Sequence, residues 1–244
     1  MKNTKLALSA LILAGILFLA SSCSDDNSVK SKMSPQNFIN ELTGTTETYS
    51  AVFMINSTYF APPNHSEPIE YCDVMAYLME NDDFVAPEFA KCNGVNMFDM
   101  VSDDDSKGQY QYSSPKYEPE FNVEIGGYLG GTLTFNASIN MMRFTNIGIN
   151  DTLNQNDVEV SYTGADSNME LLVEVKSRLG NLTKQIKSPA ATGTITFTAE
   201  ELSQIGGETT IALLQDRDET FGYQDKPILK RFSAVSSVIC YVKN

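Results

Sequence analysis

The sequence holds no tryptophan, one histidine, four cysteines and 17 basic residues against 31 acidic ones in 244. Each scarcity closes off a class of function. Without tryptophan the favoured platform for sugar rings and interface hot spots is missing, and 11 tyrosines and 13 phenylalanines must stand in. The one histidine, His65, lies in the proline-flanked "PPNHSEP". A Ser-His-Asp triad would have to run through it, and no G-x-S-x-G elbow accompanies it. Zinc needs closely spaced histidine and cysteine, and His65, Cys72 and Cys92 are too loosely spaced for that. No cofactor is expected. The net charge of −14 disfavours nucleic acid and anionic lipid, both of which call for clustered lysine and arginine.

Long apolar runs are scarce as well. Only Leu6 to Ala20 qualifies, behind Lys2 and Lys5 and broken by Ser9 and Gly15. That is the layout of a secretory signal, and it falls short of the roughly 20 residues of a spanning helix. Ala20, Ser21 and Ser22 lead into Cys23, an arrangement that resembles the bacterial lipobox, with Leu19 one place further upstream than usual. The resemblance implies a signal peptide over 1–22, a diacylated Cys23 and a membrane partner reached through that lipid. Several buried acyl chains make a stable anchor. Ser24, Asp25 and Asp26 open an acidic tether over 23–33. They look like the surface-export signal of Bacteroidota lipoproteins, which implies the outer membrane, facing the cell exterior. Two lysines and no acids lie in 1–22, so the processed chain carries 15 basic and 31 acidic residues, a net of −16.

After the tether, Ser34 as cap, Pro35 at the first helical position and the pair Phe38/Leu42 predict a short helix over 34–42. From there the period is two. Val158, Val160 and Tyr162 alternate with Glu159 and Ser161; Met169, Leu171, Val173 and Val175 share a face; so do Phe121, Val123 and Ile125, and Ile195 with Phe197. This predicts an all-β chain of antiparallel sandwiches with one face of each strand buried. Less regular candidates are 48–56, 70–79, 108–113, 132–138, 141–147, 209–215 and 231–243. The last changes its inward face near Ser236 and Ser237 in the sequence pattern, which predicts a bulge there. Thr198 and Glu201 fit a capping box before Gly206-Gly207, predicting a second short helix. "QDRDE" (215–219) reads as a charged hairpin end.

The four glycines of "EIGGYLGG" (124–131) offer a hinge between an N-terminal β-rich half, 34–125, and a C-terminal half, 126–244. The alternative is a glycine-rich crossover within one sandwich. Within the second half, "VEVSYTGADSNMELLVEVKS" and "GTITFTAEELSQIGGETTIALLQ" resemble part of an immunoglobulin-like module of uncharacterised Bacteroidota lipoproteins. That resemblance implies an immunoglobulin-like sandwich there and transfers no catalytic residue.

The candidate site residues are few. Beyond Cys23 the cysteine count is odd; Cys72 and Cys92 are a possible disulfide, and Cys240 reads as a small buried hydrophobe. Tyr110, Tyr112 and Tyr117 form an alternating row that stacks either on a ligand or on a neighbouring sheet. Asp103, Asp104 and Asp105 are a weak calcium candidate, because their spacing departs from the D-x-D-x-D-G pattern. Asp151-Thr152-Leu153 resembles the short Bacteroidota O-glycosylation site at Thr152. The leading reading is a surface lipoprotein that binds an extracellular ligand or envelope protein without catalysis. The alternatives are a carboxylate-based glycan hydrolase, which needs two carboxylates about 5–10 Å apart, and a structural or adhesin-like component joined by strand addition.

Overall fold

The computed structural model describes residues 34–62, 67–100, 107–148, 151–154 and 158–243. Cys23, Ser24, Asp25, Asp26, His65, Asp103, Asp104 and Asp105 lie outside them. The chain is all-β, as the two-residue period predicts. Helix α1 (Pro35–Thr43) precedes β1 (Ala51–Ala61), β2 (Ile69–Glu80), β3 (Asp83–Phe84), β4 (Phe89–Cys92), β5 (Val95–Asn96) and β6 (Phe98–Asp99). Then come β7 (Gln109–Ser114), β8 (Glu120–Tyr128), β9 (Gly131–Ser138), β10 (Arg143–Phe144), β11 (Thr152–Asn154) and β12 (Val158–Thr163). The rest are β13 (Leu171–Ser177), β14 (Asn181–Ile186), β15 (Thr192–Phe197), β16 (Gly207–Tyr223) and β17 (Lys226–Lys243).

A ten-stranded sheet runs β14-β13-β16-β17-β1-β2-β7-β6, with β11 beside β17 and β3 beside β2. A four-stranded sheet, β5-β4-β8-β9, and a three-stranded sheet, β10-β12-β15, complete the fold. One buried cluster draws on all three sheets: Phe53, Val74 and Phe232, then Phe121, Val123 and Leu133, then Val160 and Phe197. Phe53 meets Phe135 edge-on at 4.7 Å between ring centroids, joining the large sheet to the four-stranded one. Pairing is antiparallel except for β1 and β11, which run parallel to β17.

Helix α1 starts where its cap dictates. The Asn37 N–H donates to Ser34 Oγ, Pro35 occupies the first turn, and Gly44 closes the helix at φ 67°. In the left-handed region glycine carries no Cβ penalty. Phe38, Ile39 and Leu42 then lie on the outer face of the large sheet, over Val52, Met54, Tyr77, Met79 and Leu229. That contact gives β1 two buried faces: Ala51, Phe53 and Ile55 enter the main core, Val52 and Met54 the helix-covered one.

Four readings are corrected by this topology. The boundary at 125/126 falls inside β8, and β1 pairs with β17 along its whole length, from Ala51↔Ile228 to Ala61↔Val238. The ten-stranded sheet therefore interleaves both sides of the expected hinge. The glycines of 124–131 make a hairpin instead: Gly127 (φ 75°) sits at a bulge, and Leu129 and Gly130 (φ 51° and 77°) turn the chain into β9. No bulge interrupts β17; its ladder with β16 runs unbroken from Gly207↔Val242 to Tyr223↔Lys226, and Ser236 simply occupies an inner-face position. "QDRDE" is mid-strand. The tip of that hairpin is Gln224-Asp225, both in the left-handed region.

The second helix shrinks to a 3₁₀ turn, Glu201–Gln204. Its capping box is nonetheless formed. The Thr198 N–H donates to Glu201 Oε2 at 2.8 Å and the Glu201 N–H to Thr198 Oγ1 at 3.3 Å.

Candidate functional site

The tyrosine row turns inward. Tyr110 and Tyr112 project from the core side of β7, beside Ala76 and Val74 of β2, and are half-buried. Tyr112 packs edge-on against Phe121 and donates to Glu118 Oε2 at 2.9 Å. Tyr117 donates to the Ile139 carbonyl, and the Arg143 guanidinium lies 5.5 Å from its ring centroid. Arg143 in turn grips Glu70 through two bonds of 2.7 and 3.0 Å. The hydrogen bonds from Arg143 hold the Glu70 carboxyl below its ordinary pKa. Burial, then the Glu118 contact, pushes the Tyr112 phenol up to about 12. These side chains cross-brace the sandwich.

Glu118 is the hub of that brace. Besides Tyr112 it accepts from Ser114 Oγ at 2.8 Å and Asn93 Nδ2 at 3.0 Å. Cys72 and Cys92 flank it, and both are buried free thiols, as is Cys240. The disulfide considered for Cys72 and Cys92 is therefore not formed. Burial pushes Cys72 up to about 11 and Cys92 and Cys240 up to about 12, so at neutral pH all three stay protonated and unreactive.

A buried carboxylate lies on the opposite face of the large sheet. Asp73, 6% exposed, accepts from Asn56 Nδ2 at 3.0 Å. Asn56 Oδ1 is buried with no partner. Burial pushes the Asp73 carboxyl up to about 6 against the help of that hydrogen bond. Its register neighbours are Asn56 on β1 and Ser113 on β7. Neither is the second carboxylate that a glycan hydrolase built on Asp73 would need.

A further open surface sits at the end of the sandwich where β17 runs out. An open depression of about 670 Å³ is bounded by Arg178 and Leu179 of the β13–β14 turn, by Gly206, Gly207 and Glu208, and by Tyr241 and Lys243. Leu179 is 65% exposed and Tyr241 52% exposed, so two large apolar groups face solvent in a depression that also holds Arg178, Lys243 and, opposite Tyr241, the carboxylate of Glu208. Tyr241 is presented there by register. Even-numbered residues of β17 enter the core, Val238, Cys240 and Val242 among them, which turns Tyr241 outward. Its N–H is held by the Asp151 carbonyl at 2.8 Å. Thr152, the candidate glycosylation site, is exposed and pairs directly with Tyr241. None of the outward side chains of the depression was singled out from sequence. The available signals were small: a leucine inside the "RLG" turn, and a tyrosine out of phase with the apolar period of its strand.

No protein-family model matches the chain, and no curated protein matches it in sequence. Among solved structures, the chain is similar to one described as structural insight into host cell surface retention of a 1.5-MDa bacterial ice-binding adhesin. It is 10% identical, with 80% of this chain and 66% of that one covered and a TM-score of 0.23. The yeast delta-COP-I mu-homology domain is 10% identical over 82% of this chain and 100% of its own, with a TM-score of 0.29. The human OSCAR ligand-binding domain is 8% identical over 76% and 97%, with a TM-score of 0.22. At these scores the likenesses assign neither family nor ligand.

Proposed function

We propose that the protein is a lipid-anchored binding module displayed on the outer surface of the outer membrane, and that it holds an acidic glycan in the depression beside Tyr241. One observation carries the ligand reading: exposed Tyr241 and Leu179 share one depression with Arg178 and Lys243, two cations against the single carboxylate of that lining, Glu208, on a chain whose net charge is −14. An aromatic ring offers a stacking platform for the apolar face of a pyranose. Arginine and lysine offer charge-assisted bonds to a carboxylate or sulfate. Two cations against the one carboxylate of Glu208 make this spot less acidic than a chain of net charge −14 as a whole, which favours an anion locally over the bulk surface. Anchoring rests on the lipobox-like segment ending at Cys23 and on the acidic residues behind it.

Calorimetric titration with an acidic oligosaccharide tests the ligand. Tyr241→Ala should weaken binding by about tenfold or more, the loss of roughly 1.4 kcal/mol. Binding should also weaken with added salt. Equal affinity of wild type and Tyr241→Ala contradicts the assignment. Labelled palmitate should enter the wild type and not Cys23→Ala, and protease added to intact cells should remove the domain. Full protection would place it on the periplasmic side.

A further inference from the structure

An open sheet edge is a liability, because its free N–H and C=O groups can template pairing with another chain, and proteins guard such edges with charge, proline or very short strands. Most edges of this molecule are guarded. β14 carries an inward lysine, Lys184, which bonds Glu201 and also occupies the Thr196 carbonyl of β15, the edge of the three-stranded sheet. The stretch of β16 beyond its pairing with β13 holds Asp216, Arg217, Asp218 and Glu219. β5 and β10 are two residues long. β15, TGTITF, is uncharged too, but it is shorter and Lys184 takes one of its outward carbonyls, so the longest uncharged edge is β9. Gly131–Ser138 reads GTLTFNAS, eight residues with no charge and no proline.

The ladder phase shows which backbone groups β9 leaves open. The Ile139 N–H donates to the Pro119 carbonyl at 3.0 Å, which makes 119/139 a hydrogen-bonded pair. Alternation then assigns 121/137, 123/135 and 125/133 to the same class. The N–H and C=O of Thr132, Thr134, Asn136 and Ser138 consequently point away from β8. On the far side of β8, Asn122 and Gly126 accept from Asn93 and Glu88, as this phase requires. Among the described residues no backbone partner meets the outward groups of β9.

We propose that β9 is the seam of a two-fold dimer, pairing antiparallel with β9 of a second copy. The strand is self-complementary about Phe135. Thr132 falls opposite Ser138 of the partner and Thr134 opposite Asn136, which closes roughly eight interchain backbone bonds. The four facing side chains are small, polar and exposed, and such hydroxyl and amide pairs are favourable across strands. Phe135, already against Phe53 and Phe221, meets its own copy on the inner face. Charge selects this seam and this occupant. Two molecules of net charge −14 can approach best along a strand that carries none. The acids of the neighbouring β16 edge are compensated internally, Asp218 by Arg231 and Glu219 by Lys230 and Arg217. The two four-stranded sheets would then join into one continuous sheet with no exposed central edge.

Sedimentation equilibrium of the full chain in density-matched detergent reads this directly. The wild type should show a reversible monomer–dimer equilibrium. Thr134→Lys, at an exposed position, should weaken it by at least about tenfold, with the circular dichroism spectrum unchanged. Thr134→Pro should act likewise, because it deletes an N–H that the β8–β9 ladder does not use. A wild type that stays monomeric through the micromolar range overturns the proposal. So does a dimer that persists undiminished in both variants.

Discussion

At the scale of single residues, Asp73 and Asn56 form the most consequential pair. Asn56 Nδ2 serves the carboxylate while Asn56 Oδ1 goes without a donor. A protonated Asp73 carries the O–H that such an acceptor lacks, which is a second reason, beside burial, for the proton to stay. The sign of the pH effect follows. The folded-state pKa of about 6 lies above the ordinary 3.8. Between those values the folded chain binds a proton that the unfolded chain has released, so the contribution of Asp73 to stability declines as pH rises through about 6. The total is on the order of 3 kcal/mol at 1.36 kcal/mol per unit. Asp73→Asn, whose amide can both accept and donate, should remove this decline and melt higher than wild type at pH 7. Equal melting temperatures at pH 5 and pH 7 relative to wild type would refute it. Side-chain roles were unevenly legible at this scale. Alternation identified Tyr110 and Tyr112 as one face of a strand, and only the packing of Phe121 and Glu118 shows that the face is internal. Thiol pairing was not legible, because burial and geometry, not spacing, leave Cys72 and Cys92 unpaired.

Among the elements, α1 has a disproportionate role, since its Phe38, Ile39 and Leu42 pack over Val52, Met54 and Tyr77 on the outer face of the large sheet, with Tyr49, Phe84 and Met100 in the same cluster. Ile39 is fully buried there, and Arg231 ties the C-terminal end of the helix to β17 by donating to the Leu42 carbonyl at 3.3 Å. Ile39→Ala should lower unfolding free energy by about 2–5 kcal/mol in urea titration, whereas the exposed Glu41→Ala should change little. A loss below about 1 kcal/mol would mean that the helix is not docked as described. Strands with one buried face, β8, β12, β13 and β15, were plain in the sequence because Val, Ile, Phe and Glu alternate. β1 and β17 were not. Each is covered on both faces over part of its length, so burial runs on without a period and a helix segment or a bulged strand reads much the same. The cap at Ser34 was legible because its signal lies within four residues.

The whole molecule is closed by its longest-range pairing, the first strand parallel to the last. No local pattern announces such a partner, and for that reason a glycine-rich hairpin could be mistaken for a hinge. Chain halves cut at 125/126 would each present unpaired strands of the ten-stranded sheet and split β8. Expressed separately, 34–125 and 126–244 should fail to give cooperative unfolding, while the intact domain should unfold in one transition by both circular dichroism and tyrosine fluorescence. Two independent transitions in the intact chain would restore the two-unit organisation. The depression beside Tyr241 follows from the same closure. Because β17 runs on past β1 and pairs with β11, its outward Tyr241 is carried to the end of the sandwich, in one depression with Arg178, Leu179, Glu208 and Lys243.

Nuclear magnetic resonance mapping of an acidic oligosaccharide on the isotope-labelled chain from residue 24 tests this placement most directly. The account predicts that amide shifts concentrate at Arg178–Gly180, Gly206–Glu208 and Tyr241–Lys243, and that in Tyr241→Ala they need about tenfold or more ligand to reach the same extent. Saturable shifts confined to another face, with these segments unmoved, would contradict it.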